Sequence, residues 1–319
     1  MSSVRPPLSK ITDYPAYLET CWQEHLAPRA ADAPTVISLF AGCGGSSLGY
    51  SMAGFRELLA VEWNDNAVET FKLNFPDVPV YHGDINKLTV AECLKLAELE
   101  PRELDILDGS PPCQGFSTAG KRKFTDDRNQ LFRQYVRLLR GLQPKVFVME
   151  NVSGMVKGKM KLIFAEILRE LKASGYKVKV RLLNAMYFGV PQSRQRLVFI
   201  GVREDLGIEP SHPKAETRPI SLRNICGDAL GSKSQRINAD KLSVYPHVTL
   251  SAMSFLRETI LTHDGRREPT KYEIMTIGSF PSAYRFYGNN RQYWRQIGNS
   301  VPPLMMRSIA RHIRQNILG

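Results

Sequence analysis

Residues 35–50 read TVISLFAGCGGSSLGY. Thr35–Phe40 is a short aliphatic and β-branched run, the composition of a strand buried on both faces. It passes directly into Ala41-Gly42-Cys43-Gly44-Gly45-Ser46-Ser47. Glycines there let the backbone turn sharply and come close to a ligand, and a helix starting after them exposes unpaired N–H groups. Strand, glycine turn and helix make the opening unit of an α/β sheet, in which ligands sit at the carboxyl ends of the strands. The run departs from G-x-G-x-x-G, because Ser47 stands where the last glycine would be.

Working outward, six more apolar runs follow: ELLAVEW (57–63), VPVYHGD (78–84), LDILDG (104–109), KVFVMEN (145–151), YKVKVRLLNA (176–185) and RLVFIGV (196–202). Helical spacing between them, notably at Ala67–Phe71 and Leu162–Leu171, predicts a doubly wound, mostly parallel α/β sheet over 35–203. Residues 1–34 read as an arm and a short helix, with Asp13 as cap and Tyr14, Tyr17, Leu18, Cys21 and Trp22 on one face. Past Arg203 the alternation fades, and 204–290 reads as a small irregular domain. Residues 291–319 return to the large domain through a helix with Met306, Ile309, Ile313 and Ile317 on one stripe, opened by two prolines.

The net charge of +12 is concentrated. Between 171 and 203 lie Lys172, Lys177, Lys179, Arg181, Arg194, Arg196 and Arg203 without an acidic residue, a field suited to a polyanion. Five scattered cysteines with no CxxC pair argue against a disulfide framework or a cysteine zinc site and suit a reducing compartment. No bilayer-spanning run and no signal peptide are seen, so an intracellular protein without a membrane partner is expected.

The strand ends carry the chemistry. Glu62 can accept hydrogen bonds from two ribose hydroxyls, Trp63 and Phe40 offer flat apolar faces to a purine, and Asp84, followed by Ile85, can read an exocyclic amino group. At the fourth strand end, Ser110-Pro111-Pro112-Cys113-Gln114-Gly115-Phe116-Ser117 stiffens the backbone ahead of a thiol. Cys113 is thereby presented as a nucleophile suited to a soft, electron-poor ring carbon. Glu150, with Asn151 ordering the turn, can face the same crevice as a proton donor. Gln192, Arg194 and Arg196 alternate into the seventh run and are expected on one face, where a guanidinium can fix a carbonyl or a phosphate. The loop with Lys121, Arg122, Lys123 and Arg128 is basic enough to clamp phosphates.

Taken in order, these motifs resemble the bacterial-type cytosine-C5 DNA methyltransferases: SLFAGCGG (38–45), Glu62, Asp84, SPPCQGFS (110–117), ENV (150–152), QxRxR (192–196), Arg267, Thr270 and Glu273 ahead of SFPSAY (279–284), and GNSVPP (298–303). Glu268 and Pro269 depart from the ninth motif, where an aliphatic residue before the threonine is usual. Read alone, the glycine turn and Glu62 suit either S-adenosylmethionine or NAD. The resemblance implies S-adenosylmethionine and a small target-recognition domain, centred on 204–266 and shorter than is common. It implies a cofactor site of Phe40, Gly42, Gly44, Glu62, Trp63, Asp84, Ile85, Pro112 and Asn299. It also implies catalysis by Cys113, Glu150 and Arg194 or Arg196, DNA contacts from Gln114, Ser117, Lys121, Arg122, Lys123, Arg128, Gln192 and Arg267, and no metal.

The implied reaction is methylation of C5 in a cytosine flipped out of a specific duplex sequence, through a covalent Cys113–C6 adduct. The partner is then double-stranded DNA, and the chain a cytoplasmic, nucleoid-associated monomer; a cognate restriction endonuclease as genetic neighbour fits the same reading. Two alternatives stand beside it: a tRNA cytosine-C5 methyltransferase, whose Cys-Phe-Thr signature after ENV is here Ser153-Gly154-Met155, and an inactive DNA-binding relative.

Overall fold

The computed structural model describes residues 8–112, 130–156, 160–227, 231–232, 247–248, 260–262 and 265–319. Thr35–Leu39 (β1) is buried along its whole length and enters the glycine turn that starts α2 (Gly45–Met52). The chain continues through β2 (Arg56–Glu62), α3 (Asp65–Asn74), β3 (Val80–His82), α4 (Val90–Ala97), β4 (Ile106–Gly109), α5 (Gln130–Leu142), β5 (Val146–Val152), α6 (Met160–Lys172) and β6 (Tyr176–Asn184). The two-residue β7 (Gln192–Ser193) then precedes β8 (Gln195–Arg203).

The principal sheet has seven strands in the order β3-β2-β1-β4-β5-β8-β6. All pairings are parallel except those of β8, which runs antiparallel to both β5 and β6. The chain leaves β1 toward β3 and then reverses to β4. The β1/β4 boundary is therefore the switch point at which α/β sheets open a ligand crevice.

Strand residues alternate between two buried layers. Val36, Ala60, Ile106, Val148 and Val198 face α2, α9 (Pro303–Ile313) and α1 (Tyr14–Leu26), while Ile37, Leu59, Leu107, Phe147 and Phe199 face α4, α5 and α6. Burial on both faces explains why these strands read as apolar runs instead of alternating patterns. Asp13 caps α1 as expected, its carboxylate accepting from Ala16 N at 3.0 Å. Glu24 of α1 receives Arg307 of α9 on both oxygens at 2.7 Å, so the first helix and the last close over the same face. Gly49 permits the crossing of α2 and α9: a Cβ there would lie 2.6 Å from Met306 Cβ and from the Pro303 carbonyl.

The small strands β9 (Gly231–Ser232), β11 (Ile260–Thr262) and β12 (Gly265–Arg267) form a separate antiparallel sheet, and β10 (His247–Val248) pairs with β7. After them come α7 (Lys271–Ile277) and α8 (Asn290–Asn299). The return to the large unit begins earlier than residue 291. Phe280, Tyr284 and Phe286 are buried in the α2/α9 layer, Tyr284 donates its hydroxyl to the Cys43 carbonyl, and Asn74 of α3 exchanges two hydrogen bonds with the Arg285 backbone at 2.8 and 2.9 Å. Aromatic residues in an irregular loop carry no period, so their burial leaves no pattern in the sequence.

A β-bulge in the β1/β2 register sets Glu57 opposite Val36, on the face covered by α2. The residue is half-buried, but both carboxyl oxygens are sealed. Burial pushes its pKa up to about 8, and the charge of Asp108 adds to the shift. The unfolded chain releases this proton near 4.5, whereas the folded protein keeps it to about 8. Stability contributed by the neutral form is thus complete below 4.5 and lost as the pH rises through 8. Glu57→Gln should flatten this dependence. Against the wild type it should gain on the order of 2–4 kcal/mol between pH 5 and 9 in urea-unfolding stability, and a constant difference would contradict the assignment.

Candidate active site

The backbone turns at the end of β1 through positive φ at Phe40 (58°), Gly42 (56°) and Gly44 (86°). Gly44 is the N-cap of α2, and a Cβ on it would meet Phe75 and the Tyr284 hydroxyl at 2.8 Å. Glu62, at the end of β2, holds the turn: Oε2 accepts from Gly42 N at 2.8 Å, and Oε1 from Trp63 N and Asn64 N at 3.0 and 2.9 Å. A carboxylate oxygen can accept twice, so Oε2 keeps capacity beyond its bond from Gly42 N.

Trp63 next to it is 76 % exposed, a large apolar plate at a strand end with nothing folded over it among the described residues. Asp84 stands exposed just past β3, its Oδ1 engaged by the Asn86 backbone and side-chain amides at 2.9 and 2.7 Å, above a buried Ile85. Together the ends of β1, β2 and β3 supply a backbone cradle at a helix start, a buried carboxylate, an exposed indole and an exposed carboxylate. That donor set matches a nucleoside cofactor with a ribose diol and an amino-bearing purine.

β4 ends beside this cradle. Pro111 is buried and Pro112 exposed. Cys113, Gln114, Ser117, Lys121, Arg122, Lys123 and Arg128 lie outside the described residues. The other four cysteines are all buried. Desolvation raises the thiols of Cys21, Cys43 and Cys93, the last two to about 12, so they are poor thiolates.

At the end of β5, Asn151 donates Nδ2 to the Pro111 carbonyl at 3.3 Å, bracing the segment that leads to Cys113. Glu150 is 8 % exposed and pairs with Arg196 of β8, Nε to Oε1, at 2.5 Å. The angle of that ion pair leaves Oε1 without a directed hydrogen bond. Register places Ser38, Asp108, Glu150 and Arg196 on one face of the sheet: Asp108 lies opposite Ser38, Glu150 lies two residues further toward the end of β5, and Arg196, opposite Val152, lies diagonal to Glu150.

Gln192, Arg194 and Arg196 do not continue one alternating face. The strand breaks at Arg194, between β7 and β8. Gln192 is buried and donates to the Ile277 carbonyl of α7 at 3.3 Å. Arg194 is buried too, donating to the Gly298 carbonyl of α8 at 3.1 Å, and burial followed by the neighbouring Arg196 lowers its pKa to about 9. Of the three, Arg196 forms the ion pair with Glu150, whose charge also acts on Arg194. Arg267, expected on DNA, is engaged by both oxygens of Glu273 at 2.6 and 2.8 Å, and Glu273 in turn closes the capping box of α7 with Thr270. Asn299 ends α8 exposed, one residue before Ser300, which abuts Gly45 of α2.

Asp108 lies at the same crevice edge, buried at the end of β4, and belongs to none of the motifs. The available signal was a charged residue inside the apolar run LDILDG, and the same holds for Glu57 in ELLAVEW.

Comparison with known proteins agrees with this geometry. The family model for C-5 cytosine-specific DNA methylase matches residues 34–260 and 236–315. The type II methyltransferase M1.HphI of Haemophilus parahaemolyticus is 35% identical over 328 residues, covering 86% of this chain and 85% of its own. M.NgoPII of Neisseria gonorrhoeae is 31% identical, covering 92% of this chain and 99% of its own. In fold, the chain is similar to an E. coli prophage-encoded protein described as a DNA modification methyltransferase, with a TM-score of 0.74 at 24% identity over 90% of this chain and all of that one.

The sheet and its crevice are thus those of an S-adenosylmethionine-dependent methyltransferase. Within that class the chain belongs to the C-5 cytosine-specific DNA methylase family: it is an enzyme that binds DNA and methylates C5 of cytosine through a catalytic cysteine, with S-adenosylmethionine as cofactor. No helix among the described residues is long and apolar enough to cross a membrane.

Proposed function

We propose that Cys113 is the catalytic cysteine and that the Glu150–Arg196 pair receives the target base. The observation that carries this is the convergence, at the ends of β4, β5 and β8, of the braced Pro111 carbonyl and that buried ion pair. A cytosine turned out of the duplex enters there. The thiolate of Cys113 adds to C6 while Glu150 holds a proton at N3 and Arg196 fixes the O2 carbonyl, so electron density moves onto C5. Bound S-adenosylmethionine supplies an electrophilic methyl group on a sulfonium. C5 would take that methyl group, with S-adenosylhomocysteine as the other product; the C5 proton then passes to water, the N3 proton returns to Glu150, and departure of the thiolate restores the aromatic ring.

Glu62 holds the ribose, Trp63 and Phe40 flank the adenine, and Asp84 with Ile85 reads its amino edge. Gly42 and Gly44 give the turn, while Pro112 and Asn299 border the methyl-bearing end. Arg194, Gln192 and Arg267 act indirectly, by holding α8, α7 and the small unit in place. Gln114, Ser117, Lys121, Arg122, Lys123 and Arg128 contact DNA as the base enters, and the region around 204–266 reads the sequence. The enzyme works as a cytoplasmic, nucleoid-associated monomer with a restriction endonuclease as genetic neighbour.

Incubation with labelled S-adenosylmethionine, followed by nucleoside analysis, should yield 5-methyldeoxycytidine from duplex plasmid DNA and no 5-methylcytidine from tRNA. Methylation of tRNA alone would overturn the reading.

A further inference from the structure

A polar cluster lies sealed beneath the crevice, and the reaction as drawn does not use it. Tyr50 of α2 donates its hydroxyl to Asp108 Oδ1 of β4 at 3.2 Å, and both residues are buried. Alongside, Ser47 of α2 donates to Ser38 Oγ of β1 at 3.3 Å, next to the buried carboxyl of Glu57. The surrounding layer is apolar: Val36, Ala60, Ile106 and Val148 share this face of the sheet. An apolar residue at 108 would pack as its neighbours do, whereas a carboxyl there carries a desolvation cost.

The placement of the bond gives it a use. Tyr50 stands on the helix whose N-cap is Gly44, in the cofactor turn. Asp108 stands three residues before Pro111, whose carbonyl Asn151 braces, and five before Cys113. Glu150 is on the same face, and its charge reaches Asp108.

We propose that Asp108 and Tyr50 are positioning residues for methyl transfer, their hydrogen bond holding the cofactor helix in register with the strand that leads into the nucleophile segment. The inference rests on the assignment of Cys113 and Glu150 above. Displacement of one reacting atom by about 1 Å costs as much as 100-fold in rate, so one buried bond between the two carriers has kinetic weight.

Asp108 also titrates where the reaction runs. Burial raises it to about 7, Glu150 adds to the rise, and the hydroxyls of Tyr50 and Ser46 oppose it. The groups that act on it are Ser46 and Tyr50 of α2, Glu57 of β2 and Glu150 of β5 on its own face of the sheet and Tyr135 of α5 from the opposite face, with Arg196 of β8 paired to Glu150.

The test uses the full chain as Tyr50→Phe and Asp108→Asn, with duplex plasmid DNA and enzyme in excess of sites. The single-turnover rate of methyl transfer is followed from pH 6 to 9, and the Kd for S-adenosylhomocysteine and the melting temperature are measured alongside. Both variants should lose roughly 10-fold or more in rate while the Kd moves by less than about 3-fold, a split expected of misplacement and not of lost binding. Asp108→Asn should also lose an inflection near pH 7 that Tyr50→Phe retains in shifted form. Unchanged rates overturn the proposal, as does a uniform drop that tracks the melting temperature and leaves the shape of the pH profile intact. Wild-type rates in Cys113→Ala or Glu150→Ala overturn the underlying site assignment instead, a result distinguishable because it is read on different variants.

Discussion

Replacing Cys113 by alanine is expected to abolish methylation, with a fall of roughly 10⁴-fold or more in the rate on duplex DNA, while leaving the fold and the affinity for S-adenosylhomocysteine intact. C5 of cytosine is not nucleophilic in the intact ring, and a covalent addition at C6 is what makes it so. No other described thiol can substitute. Cys21, Cys43, Cys93 and Cys226 are buried, and the first three are pushed toward the neutral thiol by desolvation. Serine at 113 should be nearly as damaging, because an alcohol is far less ionised than a thiol near neutral pH. Filter-bound radiolabel and calorimetric titration on the same preparations check both halves of the expectation. A variant retaining a tenth of the wild-type rate would place the nucleophile elsewhere.

The second large effect is expected at Glu150. Removing the carboxyl as Glu150→Ala takes away the group that holds the proton at N3, and general acid catalysis of this kind contributes about 10²–10⁴-fold. It also strips Arg196 of its partner in a nearly sealed site, where the two side chains are 13% and 10% exposed. Some loss of stability, about 3–5 kcal/mol, should accompany the loss of rate. Glu150→Gln separates the two effects. The amide keeps the shape of the side chain and a hydrogen-bond donor toward the base but cannot deliver a proton, so its melting temperature should stay closer to the wild type while its rate falls about 10²-fold. Full activity in the glutamine variant would remove Glu150 from the proton path.

Much of this site could be read from residue order because its parts sit at strand ends. SLFAGCGG, Glu62, Asp84, SPPCQGFS and ENV each follow an apolar run, and parallel strands bring such ends together on one edge. The sheet order itself was not readable: nothing local in RLVFIGV says that β8 runs antiparallel between β5 and β6. That inversion puts Arg196 beside Glu150 and distinguishes it from Arg194, two residues away in sequence but turned to the carbonyl of Gly298. Period-2 reasoning put the two arginines on one face and failed at the break between β7 and β8. Gln192 and Arg267 show a related limit: a polar side chain in a motif reads the same whether it meets a ligand or, as here, the Ile277 carbonyl 85 positions away and Glu273 on the helix that follows directly. The Tyr50–Asp108 bond depends on a contact across 58 positions, and sequence marks only its cost, a carboxyl within an apolar strand.

Methyl transfer depends on a sulfur–carbon bond formed during the reaction, and that bond can be weighed. A duplex carrying 5-fluorocytosine in place of cytosine blocks the final loss from C5, so incubation with S-adenosylmethionine should leave enzyme and DNA joined. Intact mass spectrometry should show the joined species plus one methyl group, and peptide mapping should place the link on the segment containing Cys113. Absence of any joined species from an enzyme that methylates the unsubstituted duplex, or a link to another residue, would contradict the mechanism.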